Sequence, residues 1–204
     1  MHPVSYDIDY VVERNRLTTF FRLFLAIPWL IFAFFYGLAA LFAVLAAWFA
    51  MMFTGRYPQG LYAFVSGYIR FGGRLSGWVM LAVDEFPPLG GAPSAEYPVR
   101  VDVAPPQAEY SRAKTFFKPV LALPLFLLSY GLNLVSQAAA FITWWRVLFT
   151  GRQSATMHDA LKVTLAYSVR INFYLMLVTE TYPRILDLEP TAYPADTPGL
   201  NPAE

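Results

Sequence analysis

Two stretches of the chain repeat each other at a fixed offset of 96 residues. Phe53-Thr54-Gly55-Arg56 returns as Phe149-Thr150-Gly151-Arg152, and Thr19-Phe20-Phe21-Arg22 returns as Thr115-Phe116-Phe117-Lys118. The same offset superposes Arg16 on Arg112, Pro28 on Pro124, Trp48 on Trp144, Arg74 on Arg170, Asp84 on Glu180 and Pro87 on Pro183. An ungapped match over so much chain implies one structural unit used twice. Any fold must therefore accommodate two like bodies.

The apolar runs say where such a unit lives. Residues 23–53 and 119–145 carry no charge, and about 20 apolar residues suffice to cross a hydrocarbon core roughly 30 Å thick. Only 14% of the 204 residues are charged, against roughly 25% in soluble domains. A signal peptide is rejected: the first run starts too late, is too long, and ends without a small-residue cleavage site. Without cysteine, disulfides and thiolate chemistry are excluded. A net charge of +1 gives no reason to expect nucleic acid.

Each copy reads as four pieces. The first alternates with β-branched residues, over 4–9 and 99–103, and predicts a short strand. The second is the long apolar helix, with Pro28 or Pro124 near its start; aromatic and basic residues before the proline have the character of interfacial anchors, which favours a helix that begins earlier and is kinked there. The third is the Phe-Thr-Gly-Arg corner, whose glycine suits a left-handed helix end. The fourth, near 59–83 and 155–179, is long enough to return across a membrane. It is amphipathic, with Ser66, Arg70, Gly73, Arg74 and Gly77 on one stripe, expected to face inward. The alternative lays these helices flat on the membrane surface.

The favoured reading is an all-α integral membrane protein of four main helices from two tandem repeats, with short extended segments at the cytoplasmic face. Residues 1–89 form the first repeat, 90–96 a linker, 97–188 the second repeat, and 189–204 a proline-rich tail expected to be disordered. Two spans per copy make the copies parallel, related by an axis along the membrane normal. Arg14, Arg16, Arg22, Arg100, Arg112, Lys114, Lys118 and Arg184 would then share the terminal side, which the positive-inside rule makes cytoplasmic, with Arg56 and Arg152 outside.

Few residues are candidates for chemistry. Arg74 and Arg170 read as an intramembrane anion or lipid-phosphate site, or as arginines that snorkel or tie helices together. Arg56 and Arg152 read as helix caps or ligand contacts. Asp84 and Glu180 sit poorly against a helix dipole if they end a helix, and a salt bridge to the basic residues entering the first helix is their expected use. His2 and His158 lack a second ligand at metal spacing. Gly73 and Gly77 make a close-packing GxxxG in copy one only, and Asn133 and Gln137 share one face of the third helix. No catalytic residue, cofactor or metal site is assigned.

Phe53-Thr54-Gly55-Arg56-Tyr57-Pro58, an arginine-bearing helix and then Asp84-Glu85-Phe86-Pro87-Pro88 resemble a bacterial membrane family named only as domain of unknown function 4389. The second copy resembles it through Tyr97-Pro98-Val99, Phe149-Thr150-Gly151-Arg152 and Glu180-Thr181-Tyr182-Pro183, and departs at Gln153-Ser154 and Arg184. The resemblance implies a tandem membrane domain from a bacterium and brings no activity. The expected function is a non-enzymatic accessory or scaffold component of the plasma membrane, its partners the bilayer and other membrane proteins or further copies of itself. The alternative is a small transporter or channel lined by the arginine stripe.

Overall fold

Helices form where the chain supplies a cap, an apolar run and a stop. In the computed structural model, which describes residues 3–94 and 96–183, four helices and two strands account for the fold. The tail expected to be disordered lies outside the described residues, as do Arg184 and His2. Strand β1 is Val4–Ile8, helix α1 Arg16–Thr54 and helix α2 Gln59–Val79; strand β2 is Val99–Val103, helix α3 Arg112–Thr150 and helix α4 Ala155–Leu175. Asn15 starts α1 by accepting from the amides of Leu17 and Thr18 at 3.0 and 3.2 Å, and Ser111 starts α3 by accepting from Lys114. Gly55 and Gly151 stop them at φ 69° and 72°, their amides returning to Met51 and Val147. Pro28, Pro119 and Pro124 lie inside the helices.

The first helices of the two copies run antiparallel. The Tyr110 amide, just before α3, donates to the Gly55 carbonyl at the end of α1 (2.8 Å), and the Arg14 amide donates to Gly151 at the end of α3 (2.9 Å). Trp48 Nε1 reaches the Thr115 carbonyl and Trp144 Nε1 the Thr19 carbonyl, both at 3.2 Å. The four-span expectation is thereby corrected. It placed Gly55 and Tyr110 on opposite sides of a bilayer roughly 30 Å thick, and they are hydrogen-bonded neighbours. The copies are related by an axis across α1 and α3, not along them.

Three layers result. α1 and α3 pack on each other and on α2 and α4, while β1 and β2 pack on α4 and α2. The strands pair antiparallel across the copies with Tyr6 opposite Val101 and Asp7 opposite Arg100. Val4, Tyr6, Ile8, Val99 and Val101 point into the core. The other face carries ions: Arg100 binds Asp7 and Asp9, each at 2.6 Å, and Lys162 of α4 binds Asp7 at 2.6 Å. The GxxxG of α2 seats this sheet. A Cβ on Gly73 would lie 3.2 Å from both Val101 and Val169, and one on Gly77 would lie 3.0 Å from Val99.

α1 and α3, each 39 residues, are long and apolar enough to cross a membrane. Only 17% of the most apolar stretch of either is buried, so both leave most of their apolar surface uncovered by the rest of the fold. Phe24, Phe34, Phe42, Leu123, Phe126 and Phe141 are among the large side chains left exposed. The opposite layer is the charged sheet face, so the molecule is amphipathic through its thickness.

Candidate functional site

The antiparallel arrangement creates two ends that the repeat makes equivalent. One is built from the end of α1, the start of α3 and the turn after α4. The other is built from the start of α1, the end of α3 and the turn after α2. In each, the turn passes through a leucine in the left-handed region, Leu81 at φ 68° and Leu177 at φ 67°. Such a backbone costs a branched residue about 1 kcal/mol and leaves carbonyls that need donors.

Different chemistry meets that need at the two ends. After α4, Tyr110 donates to the Val178 carbonyl (3.2 Å) and Tyr57 to Met176 (3.4 Å), their rings 6.1 Å apart. Tyr62, edge-on to Tyr57 at 5.4 Å, donates to the Ala104 carbonyl at 2.6 Å. After α2, the offset puts Arg14 where Tyr110 stood, Gln153 where Tyr57 stood and His158 where Tyr62 stood. Arg14 Nη2 donates to Ala82 at 2.6 Å and Gln153 Nε2 to Leu81 at 3.1 Å. Arg14 also donates to Gln153 Oε1 through Nε at 3.0 Å and through Nη2. His158 is fully buried, with the Tyr10 ring 5.0 Å away.

Burial dominates the electrostatics of this polar end. It lowers the Arg14 guanidinium from its usual range, opposed by Asp84 and Glu85. It pushes His158 down to about 4, and the nearby Arg14 charge adds to the effect; a hydrogen bond with the Ile8 backbone opposes it. At the aromatic end burial instead raises Tyr62 to about 12. At the polar end burial lowers the Arg14 guanidinium and the His158 imidazole, whereas at the aromatic end it raises the phenols, which the buried cation Lys118 accompanies.

The acids proposed from the sequence cap helices. Asp84 and Glu180 lie beyond α2 and α4, at the positive ends of α1 and α3. Asp84 accepts from the Asn15 amide (2.9 Å) and Glu180 from the Ser111 amide (2.6 Å), where a negative charge is favourable. Asp84 also pairs with buried Arg22 at 2.6 Å. Arg22 donates further to the carbonyls of Trp78 and Val83 at 2.5 and 3.0 Å. Its counterpart Lys118 donates to the Thr179 carbonyl at 2.8 Å and lies 4.6 Å over the Tyr174 ring. Glu180 meets Lys114 instead, at 3.6 Å.

The arginines separate into unlike settings. Arg74 is 1% exposed, donates to the Ala92 carbonyl at 2.8 Å and lies 6.0 Å from the Tyr97 ring. It ties the linker to α2, with Gly91 so close to Gly67 that a Cβ there would fall 2.1 Å from its carbonyl oxygen. Arg170 is half-buried, so the two are not equivalent. Arg56 and Arg152 are exposed; the cap beside them is built from glycine and from Thr54 and Thr150, whose hydroxyls receive the arginine amides at 3.1 and 3.2 Å. Asn133 and Gln137 bond each other on the exposed face of α3. Arg22 and Lys118 were visible in the sequence as a repeated basic pair, whereas Arg14 and Gln153 were not expected at a site. The signal of these two was present in the positions where the copies disagree.

Neither the curated proteins nor the solved structures contain a match to the chain. The family described as a domain of unknown function, DUF4389, matches residues 16–89 and again residues 112–186. Each match opens at the first residue of α1 or α3 and runs past the acid that caps that helix. The chain belongs to the DUF4389 family, as a tandem pair of its domains.

Proposed function

We propose that the protein is a non-enzymatic structural component of the bacterial plasma membrane, embedded from one side and offering its apolar layer to lipid and to other membrane proteins. The observation that carries this reading is the exposed surface of α1 and α3, apolar almost throughout and opposite the charged sheet. Both helices lie in the membrane plane in this reading. Standing them upright would carry α2, α4 and the sheet to the same depth. The sheet has only two strands, and their outer edges need water that hydrocarbon lacks. Asp7, Asp9 and Arg100 would also be submerged, at a cost of several kcal/mol.

Because the chain has no cysteine, single cysteines report unambiguously. In sealed vesicles, cysteines replacing Ala92, Asp102, Arg56 and Arg152 should all react with an impermeant thiol reagent from the same side. A cysteine replacing Phe34 should be reached by oxygen and shielded from polar reagents. Labelling of Arg56 and Arg152 positions from opposite sides would overturn the in-plane arrangement in favour of upright helices.

A further inference from the structure

The pair Arg22 and Lys118 differs in one respect that points outward. Arg22 has its charge balanced by Asp84. Lys118 is 5% exposed, yet among the described residues no carboxylate pairs with it. Its ammonium has three donors, and the described hydrogen bond uses one, on the Thr179 carbonyl. Burial, the larger effect, lowers the ammonium to about 7, and Glu180 opposes this only from beyond salt-bridge distance, so an anion in direct contact would favour the charged form.

Lys118 also borders two cavities. One, of about 440 Å³, is lined by Val44 and Trp48 of α1, Ala122 and Phe126 of α3, and Leu177. Its walls are apolar apart from Lys118, and Leu45 and Phe126 at its edge are 47% and 56% exposed, so it opens on the apolar layer. The second, of about 270 Å³, holds polar groups: Lys114, Tyr174, Glu180 and Tyr182. Lys114 is only loosely engaged by Glu180, at 3.6 Å with two-thirds of its side chain exposed.

We propose that this is a binding site for one anionic phospholipid, with an acyl chain in the apolar cavity and the phosphate between Lys118 and Lys114. The anion supplies the counterion that copy one provides internally through Asp84. Glu180 stays on the Ser111 amide and yields Lys114 to the phosphate. The surrounding bilayer is the source of the ligand, and in that respect the inference rests on the membrane reading. The binding itself is measured in micelles and succeeds or fails independently of how the helices lie.

The test uses the full chain, purified in a mild maltoside detergent and offered equal amounts of dioleoyl phosphatidylglycerol, dioleoyl phosphatidylcholine and oleate. Native mass spectrometry counts the lipid retained. One phosphatidylglycerol per chain is expected, favoured over phosphatidylcholine by at least about tenfold, the scale of one charge-assisted hydrogen bond. Lys118→Met should abolish that preference. Should Lys118→Met fail to fold, Leu45→Trp fills the cavity mouth, leaves Lys118 in place and should lose the lipid equally. Equal retention of the two phospholipids, or undiminished phosphatidylglycerol in Leu45→Trp, overturns the site. Oleate retained in preference to both overturns the phospholipid and leaves a fatty-acid carboxylate as the anion.

Discussion

The two ends of the molecule solve one packing problem twice. Each must hold a strained turn, Leu81 or Leu177, against the corner contributed by the other copy. The aromatic end does so with Tyr57, Tyr62 and Tyr110, whose hydroxyls satisfy carbonyls while their rings fill space. The polar end does so with Arg14, Gln153 and His158, in which a buried cation and an amide share the work. The lesson is that the backbone asks only for donors in given places. Neutral phenols supply them at low electrostatic risk, whereas a buried guanidinium depends on each of its partners being present.

The largest expected effect follows from that dependence. Arg14→Met leaves the Ala82 carbonyl and the Gln153 amide oxygen without their donor and should destabilise the protein by roughly 3–5 kcal/mol, the scale of two unsatisfied buried acceptors. Tyr110→Phe, at the matching position, removes one hydroxyl bond and should lose about 1 kcal/mol. Denaturant or thermal unfolding in detergent compares the two, and equal losses would show that the ends do not differ in this way.

A smaller effect separates the ends by pH. His158 is held at about 4 in the fold, below its ordinary 6.5, so the unfolded chain takes up a proton first as pH falls. The stability due to the neutral imidazole is complete above about 6.5, declines through the interval and is gone below about 4. The total loss is roughly 3 kcal/mol, spread over that window. His158→Tyr, which copies Tyr62, should flatten stability between pH 6.5 and 4. A slope that survives the substitution would assign the effect elsewhere.

The smallest effect lies on the surface of the aromatic end. Lys114→Ala loses a 3.6 Å pair with Glu180, from a lysine 66% exposed, and should change lipid-free stability by less than about 0.5 kcal/mol. A larger loss would mean that Glu180 relies on Lys114 to stay on its helix cap.

Local structure was legible in the residues because it has local causes. The strands alternate, and Gly55 and Gly151 stop their helices wherever those helices lie in space, whereas the caps Asn15 and Ser111 became evident only in the fold. The relation between copies was not legible. A repeat says that two units are alike and is silent on the operator between them, and parallel and antiparallel pairs give the same offset. Amphipathic α2 was compatible with a lipid-crossing helix whose stripe faces inward, because its glycines and Arg74 do face inward. What covers them is a strand and a linker, partners that helical periodicity does not specify. The polar end was hidden differently. Arg14, Gln153 and His158 lie far apart in sequence, and each looks unremarkable alone. Only their shared departure from Tyr110, Tyr57 and Tyr62 marks them as a set, and proximity emerges only from the fold.

The completion of each corner by the other copy has a consequence for descent. If the two domains were separate and identical chains forming the same twofold pair, any substitution at one end would be inherited by both. An arginine in place of Tyr110 would arrive twice, and two buried cations would have to be accommodated at once. Joining the domains in one chain removes that coupling. One half can take on charge while its sibling does without it, and each substitution acts at a single site. The fusion thus turns a symmetric object into one whose two ends can differ in chemistry.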